Sequence, residues 1–513
     1  MKTESITEAW RLYEVGKEYK RRIGLYETVR QNEKFYRGDQ WKSSDDGLPR
    51  PVFNVVRRII DHLIGSASPD DPVIHYTDDR LPFLDNSTVR ERVLEGVALL
   101  NKNAEYRWTQ NRMGELSQRA LLDAALSGDG VFYCWWDDSC DCGQPFCGDI
   151  RTDLVPNTNI FPADPQRADI QSQDYILLSG RATVQSLRRE AMEAGMSCED
   201  AEKICEDTEL DTAANEFVIP GSAPKATYLI RFFRENGQVV FEKTTRTHII
   251  RRSETGLRYY PLAYFNWLPT ANSFHGASPV SELIPNQKYI NAAYAMVMKH
   301  MSDTAFSKVI YDKSRIPEWS NQVGEAIAAM GGGSVSDAVA VVGVGQLQEG
   351  YLDLINSVIE NTKGMLGATD SALGDEKANN TSAILALQEA SLVSLRQLES
   401  RFERCIGELA SVWADMICTY SHPERMLPIS ENGEVRARRV DYTLLRRELL
   451  HATAEAKSSN RFTPSATVTL LADLLDKGYI GIKEYIKHLP AGCISDKNAL
   501  LESITEKGDN EHV

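Results

Sequence analysis

The strongest constraint in this chain is a seven-residue repeat in its C-terminal third. Leu395, Phe402, Leu409 and Met416 recur every seven residues, with Leu398, Cys405 and Val412 between them. Apolar side chains at that spacing line one face of a helix. The regular segment runs from Thr381 to Cys418, and a helix of that size is on the order of 55 Å long. Burying such a stripe needs a large body. A chain of 513 residues supplies one, with room for roughly two to four domains.

The repeat is embedded in a chain of mixed type, α+β with helices dominant. Residues 5–34 read as one polar helix, and Phe53, Val56, Ile60 and Leu63 mark another that stops at Gly65. A long helical region begins at Ser87, breaks near Asn101 and closes at "SGDG". From Val131 the period shortens. "VFYCWW" and "DIRTDLV" read as a hairpin, "DYILLSG" as a strand, and a short helix spans Val184 to Met196. Asn236-Gly237 between two alternating runs is the strongest hairpin signal in the chain. Ser278 followed by Pro279 starts a further helix. Residues 306–347 form a small mixed module with an amphipathic helix near "EWSNQVGEAIAAM" and a strand "AVAVVGV". Strand-like "RARRVDYTLL" and helices around Leu470 and Ile486 complete the pattern.

The chemistry is less visible. Cys134, Cys140, Cys142 and Cys147 form a C-x5-C-x-C-x4-C cluster in the connection of the first hairpin. Structural zinc sites pair their ligands at closer, regular spacing, so the match is imperfect. The cluster reads either as a structural zinc site or as reduced thiols beside Asp137, Asp138 and Asp141. A catalytic zinc needs an open position and a nearby His or Glu, and the nearest histidines in sequence are His75 and His248. His275 beside Gly276 reads as a packing or surface residue. The chain contains no G-x4-G-K-[ST], G-x-S-x-G, H-E-x-x-H or G-x-G-x-x-G, which argues against a P-loop motor and against the commonest hydrolase and dinucleotide sites.

The net charge of −16 disfavours a chain whose whole surface grips DNA, since phosphate affinity comes from clustered Lys and Arg. It is compatible with a surface past which DNA slides. No apolar run reaches the roughly 18 residues of a membrane span. "MKTESITEAWRLYEVGKEYKRR" lacks the apolar core of a signal peptide, so the expectation is a reducing, cytoplasm-like setting without disulfides.

The order of segments resembles the portal proteins of tailed bacteriophages. "NEKFYRGDQW" followed by "PVFNVVRRIIDHLIGS", the hairpin "GDGVFYCWWDDS…GDIRTDLVPNTNIFPADP", the "G-x-S-P" helix in "FHGASPVSELIPNQKYINAAYAMVMKHM", and "LGATDSALGDEKANNTSAILALQEAS" are similar to that family's landmarks over most of residues 25–420. The resemblance implies a subunit with wing, stem, clip and crown that assembles into a ring around a central channel. It divides the chain into a wing (1–275, with the cysteine hairpin at 131–156), a first stem helix (276–305), a clip (306–347), and a second stem helix (348–367). A tunnel loop (368–381), a long wing helix with a return strand (382–440), and a crown with tail (441–513) follow.

The same resemblance implies a ring at the capsid vertex, normally of twelve copies, through which DNA is packaged and ejected. Its implied partners are itself, double-stranded DNA, the large terminase, head-completion or tail adaptor proteins, and the major capsid or scaffolding protein. No membrane, no catalytic residue and no required cofactor are implied. The setting is the virion, and the host cytoplasm during assembly. Asp370, Asp375, Glu376, Lys377, Asn379 and Asn380 are the tunnel-loop candidates for facing DNA, with Lys377 the only cation among them. Two rival readings stay open at this point: a zinc-binding nucleic-acid-processing enzyme or module centred on Cys134 to Cys147, and another capsid-associated adaptor or scaffold.

Overall fold

The structure, a computed structural model, describes residues 6–41, 49–68, 73–78, 86–141, 143–207, 223–304, 308–320, 327–342, 350–367, 395–431, 434–447, 450–455, 464–489 and 500. It is a mixed α/β architecture with about half of the described residues in helices. The N-terminal segment holds two helices, α1 (Glu8–Arg22) and α2 (Leu25–Arg37), where the sequence pattern suggested one. The break is Gly24, whose left-handed φ of 70° a glycine adopts without penalty. Thr7 caps α1 by accepting from the Trp10 amide. Asn54 caps α3 (Val55–Ala67), which runs two residues past the expected stop at Gly65.

After β1 (Val73–Asp78), α4 (Ser87–Gln110) continues straight through Asn101. Its cap is Asn86 rather than Ser87, and the break before α5 (Met113–Ser127) comes at Arg112, with φ 50°. β2 (Asp129–Asp141) and β3 (Cys147–Leu154) make the first hairpin, followed by β4 (Ile160–Pro162), β5 (Tyr175–Thr183), α6 (Val184–Glu193) and α7 (Cys198–Glu202). β6 (Lys225–Glu235) and β7 (Gln238–Thr244) meet at Asn236 and Gly237, both at positive φ (51° and 79°), the geometry an Asn-Gly turn provides. Then come β8 (Ile249–Glu254), β9 (Leu262–Asn266), α8 (Pro279–Thr304), β10 (Lys308–Tyr311), β11 (Val339–Val342) and α9 (Gly350–Met365). The described part of the heptad segment is α10 (Arg396–Tyr420). β12 (Met426–Glu431), β13 (Glu434–Arg439), α11 (Tyr442–Arg447), β14 (Leu450–Glu455), α12 (Pro464–Asp476) and α13 (Ile482–His488) complete the order.

The chain divides into two compact units. The first comprises residues 1–68, 115–135 and 152–401. Its centre is an antiparallel sheet in the order β4-β5-β6-β7-β8. On one side α1 lays Trp10 and Tyr13 against Phe161, Leu177 and Leu229, with Tyr13 edge-on to Phe161 at 5.0 Å. On the other, α6 packs Val184, Leu187 and Ala191 against Ile204, Ala226 and Ile250. Strand alternation sends Ala226 and Leu229 to opposite faces of β6, so one strand supports both cores. A second sheet, in the order β3-β2-β9, follows from the hairpin and the return of β9.

The second unit comprises residues 69–114, 136–151 and 402–513. Here the heptad face of α10 is buried as its periodicity requires: Phe402, Cys405, Leu409, Val412 and Met416 are each at most 2% exposed. β1 pairs antiparallel with β14, and β12 with β13. These pairings join segments far apart in sequence. Of the strand-like "RARRVDYTLL", only Arg436–Arg439 is strand; from Tyr442 the chain turns into α11, and the pattern gives β1, β12 and β14 no assignment. The amphipathic helix expected near "EWSNQVGEAIAAM" does not form at residues 318–320 and 327–330, which are irregular.

Candidate functional site

The cysteine hairpin is the first place to look for chemistry. Cys134 sits inside β2, fully buried, with Sγ 3.6 Å from Thr152 Oγ1. Cys140 is partly buried near the end of the same strand, with Arg151 Nη2 3.7 Å from its sulfur. Cys147 opens β3 and is exposed, and Cys142 lies outside the described residues. The cysteines are therefore not confined to the connection. Six residues of extended strand separate Cys134 from Cys140 by roughly 20 Å, whereas thiolates on one zinc ion lie within about 4 Å of each other. The fold does not bring these two together. Among the described residues no three or more His, Cys, Asp or Glu side chains are grouped to hold a metal ion.

Around the hairpin tip the second unit builds a polar framework. Asp137 accepts from the Ser139 amide and hydroxyl, and these bonds, with Arg151 at 3.6 Å, hold its carboxyl below the usual range. Gln144 makes two 2.9 Å bonds to the backbone of Met426. Phe146 stacks on His422 at 4.0 Å, a histidine that no sequence spacing connected with the cysteines. Behind the tip, Asp149 takes a 2.8 Å bond from Arg107, which also donates to Asn103 Oδ1. Burial pushes the Asp149 carboxyl up, but the guanidinium groups of Arg107 and Arg425 outweigh it and its pKa is lowered. Arg425 in turn lies over the Trp136 ring at 5.3 Å.

The first unit gathers its buried polar groups at the root of α8. Asp129, His275, Asn157 and Gln287 are all at most 4% exposed. Ser278 caps α8 by accepting from the Val280 amide, as the Ser-Pro start predicted, and its hydroxyl donates to the Ala125 carbonyl. Gln287 accepts from the amides of Val55 and Val56 and donates to the Phe53 carbonyl and to Asn291. It thereby satisfies the start of α3 from inside α8. His275 is a packing residue, hydrogen-bonded to Asp129.

Beyond its root, α8 changes character. Ala293 and Val297 pack on Ile355 of α9, with Tyr294 and Ile359 beside them. Asn286 donates to Thr362, so the helices run antiparallel. Other apolar side chains of the pair are uncovered: Met296 and Met301 on α8 are 62% and 60% exposed, and Tyr351 and Leu354 on α9 are 53% and 48% exposed. Between the two helices, β10 and β11 pair antiparallel. Ile316 and Ala338 are buried there, and Tyr311 stacks on Trp319 at 5.3 Å. The predicted tunnel-loop residues Asp370, Asp375, Glu376, Lys377, Asn379 and Asn380 lie outside the described residues.

No described helix is long and apolar enough to cross a membrane. Among solved structures the chain is similar to a chain of "Neck of empty GTA particle computed with C6 symmetry", at 10% identity and a TM-score of 0.38, covering 85% of this chain and 89% of that one. No curated protein matches it. The family comparison is decisive. The profile of the phage P22-like portal proteins, a structural and not an enzymatic family, matches residues 17–443, from α1 into α11. The chain belongs to the phage P22-like portal protein family.

Proposed function

We propose that this phage portal protein assembles into a ring of twelve copies at a capsid vertex, and that DNA enters and leaves the capsid through the ring's channel. The observation that carries the reading is the family match over residues 17–443. The α8–α9 pair supports it. Two helices with a narrow shared core and several exposed apolar side chains are stable in water when neighbouring copies cover those side chains. A head-to-tail contact repeated around a closed ring covers both sides of each copy.

In this reading α8 and α9 are the stem helices, and residues 306–347, with the β10–β11 pair, are the clip. The clip docks the large terminase during packaging and head-completion or tail proteins afterwards. Residues 368–381 are the tunnel loop, with Asp370, Asp375, Glu376, Lys377, Asn379 and Asn380 beside the DNA. The wing covers 1–275 and 382–440, the crown 441–513, and contact with capsid or scaffolding protein falls to the wing. The chain supplies no catalysis and needs no cofactor; a zinc ion on the hairpin-tip thiols would act as a local staple. Assembly takes place in the host cytoplasm.

Mass photometry and negative-stain imaging of the purified chain test the proposal. Rings near twelve subunits with a central hole are the expected result, and a stable monomer at micromolar concentration would overturn it.

A further inference from the structure

β8 lies at the end of the five-stranded sheet, and among the described residues no strand pairs with its outer side. It reads I-I-R-R-S-E. The Thr255 N–H donates to the Val239 carbonyl at 3.0 Å, and the ladder pairs Phe241 with Ser253 and Lys243 with Arg251. Backbone groups alternate in direction along a strand, so the N–H and C=O of Arg252 and Glu254 point away from β7. Arg252 gives its guanidinium to Glu235 at 2.6 Å. Arg246 and Arg251 are exposed, and no described residue engages either guanidinium. Between them Ile249 is 49% exposed. Thr7 donates its amide to the Arg246 carbonyl and its hydroxyl to the Thr245 carbonyl, which fixes the turn before β8.

A free strand edge offers alternating donors and acceptors to an extended chain. The free cations lie toward the start of β8 and the exposed Glu254 closes it, so a matching strand carries its carboxylates opposite the start. Ile249 supplies the apolar contact that a protein partner uses. A phosphate backbone fits worse, because it has no donor for the outward carbonyls of Arg252 and Glu254, and the Glu254 carboxylate repels it. A second copy fits worse too. The sheet's other edge, β4, is three residues long and ends in Pro162, which has no N–H to give a ladder. A β8–β8 contact has two-fold symmetry and pairs copies instead of closing a ring.

We propose that the outer edge of β8, with Arg246, Ile249 and Arg251, docks an extended acidic segment of another protein by strand addition. The contact needs neither ring nor channel, so it stands apart from the portal reading.

The test is fluorescence anisotropy of a labelled peptide alternating glutamate and valine with the full-length chain, beside mass photometry of the same samples. The peptide binds, and its lysine–valine counterpart binds at least about tenfold more weakly, because its charges face Arg246 and Arg251. Methylating alternate amide nitrogens of the glutamate peptide abolishes binding, since strand addition rests on main-chain hydrogen bonds. R246E/R251E weakens the glutamate peptide at least about tenfold and favours the lysine peptide. E254P removes one outward N–H while the ladder bonds of Ser253 and Thr255 to β7 remain, and it weakens binding roughly three- to tenfold. Both variants keep the wild-type melting temperature, because they change an exposed edge. Equal binding of the two peptides, or no binding of either, overturns the proposal. So does wild-type affinity in R246E/R251E or in E254P. Duplex DNA that displaces the peptide would assign the edge to nucleic acid, and a two-copy species abolished by E254P would assign it to self-association; each overturns the proposal.

Discussion

Asp129 Oδ2 lies 2.6 Å from His275 Nδ1, both side chains at most 3% exposed, and this pair ties the start of β2 to the residues just before α8. The carboxylate also accepts from Asn157 at 3.2 Å, Asn266 at 2.9 Å and the Gly276 amide at 2.7 Å. Four donors saturate its four acceptor positions, which sets the hydrogen on His275 Nδ1. Replacing Asp129 by Ala takes the acceptor from four donors; Asn157 and Asn266 keep other partners, but buried His275 and the Gly276 amide lose theirs, at a cost of about 3 kcal/mol. Asp129→Asn keeps the shape but turns an amide donor toward other donors, so it is also clearly destabilising. Chemical denaturation of the purified chain measures both, and a loss below about 1 kcal/mol for Asp129→Ala would show that the pair does not hold the root of α8.

The backbones next to this pair leave no room for a side chain. Gly128 has φ 97°, and a Cβ there would overlap the Gly276 carbonyl oxygen. Gly128→Ala combines left-handed strain with a backbone clash that no rotamer relieves. The expected outcome is insoluble protein, or a melting temperature lowered by more than about 8 °C, whereas Gly65→Ala, with open space around its Cβ position, is stable. Soluble yield and thermal melts of the two variants decide it, given that ~1–2 kcal/mol moves a chain of this size by a few degrees.

Asp123 on α5 predicts a pH dependence. Burial pushes its carboxyl up to about 6 against an ordinary value of 3.8, with Arg119 opposing and Glu33 adding to the rise. The folded chain therefore holds this proton more tightly than the unfolded chain. Its contribution is most favourable below about pH 4, falls as the pH climbs toward about 6, and is flat above, a deficit of up to about 3 kcal/mol. Asp123→Asn removes the deficit: it is more stable than wild type at about pH 8 and equal to it at about pH 4. Urea unfolding at the two pH values checks this, and equal stabilities at pH 8 would contradict it.

Much of this fold is legible in the sequence, and the failures have a common physical source. The Asn236-Gly237 turn, the Ser278-Pro279 start and the stripe of α10 rest on interactions within a few residues; the first two stand as read, and the third does from Arg396 onward, residues 381–394 lying outside the described residues. Gly24 splits one expected helix because a helical pattern is blind to the backbone angle of a single residue. β1 and β14 pair Val73 with Glu455, a contact closed across most of the chain, and no local period encodes such a partner. The site divides the same way. The cysteines are visible as letters, but their separation along β2, and the arrival of His422 beside Phe146, are decided by pairings distant in sequence.

That separation makes a prediction about metal. Cys134 takes no part in any zinc that the hairpin tip holds, because it is buried about six strand positions away from Cys140. Cys134→Ala leaves the zinc content of the purified chain unchanged by elemental analysis and costs about 1 kcal/mol of stability through lost packing. In Cys140→Ser/Cys147→Ser, by contrast, any zinc present falls while the melting temperature moves little. Zinc lost with Cys134→Ala alone would mean that β2 does not keep this register.

The α8–α9 pair predicts which substitutions separate folding from assembly. Its shared core uses Ala293, Val297 and Ile355, while Met296 and Leu354 lie off that stripe and are each at least 48% exposed. A charge at either position costs the isolated subunit little, since the site is already in water. In the proposed ring the same charge would be desolvated against a neighbouring copy, at several kcal/mol per contact, and the cost would recur at every interface. Met296→Glu and Leu354→Glu therefore abolish rings in mass photometry while the monomer keeps its circular dichroism and melting temperature. Val297→Glu, on the inner face, lowers the melting temperature itself. Rings that persist in Met296→Glu/Leu354→Glu would show that subunits meet through another surface.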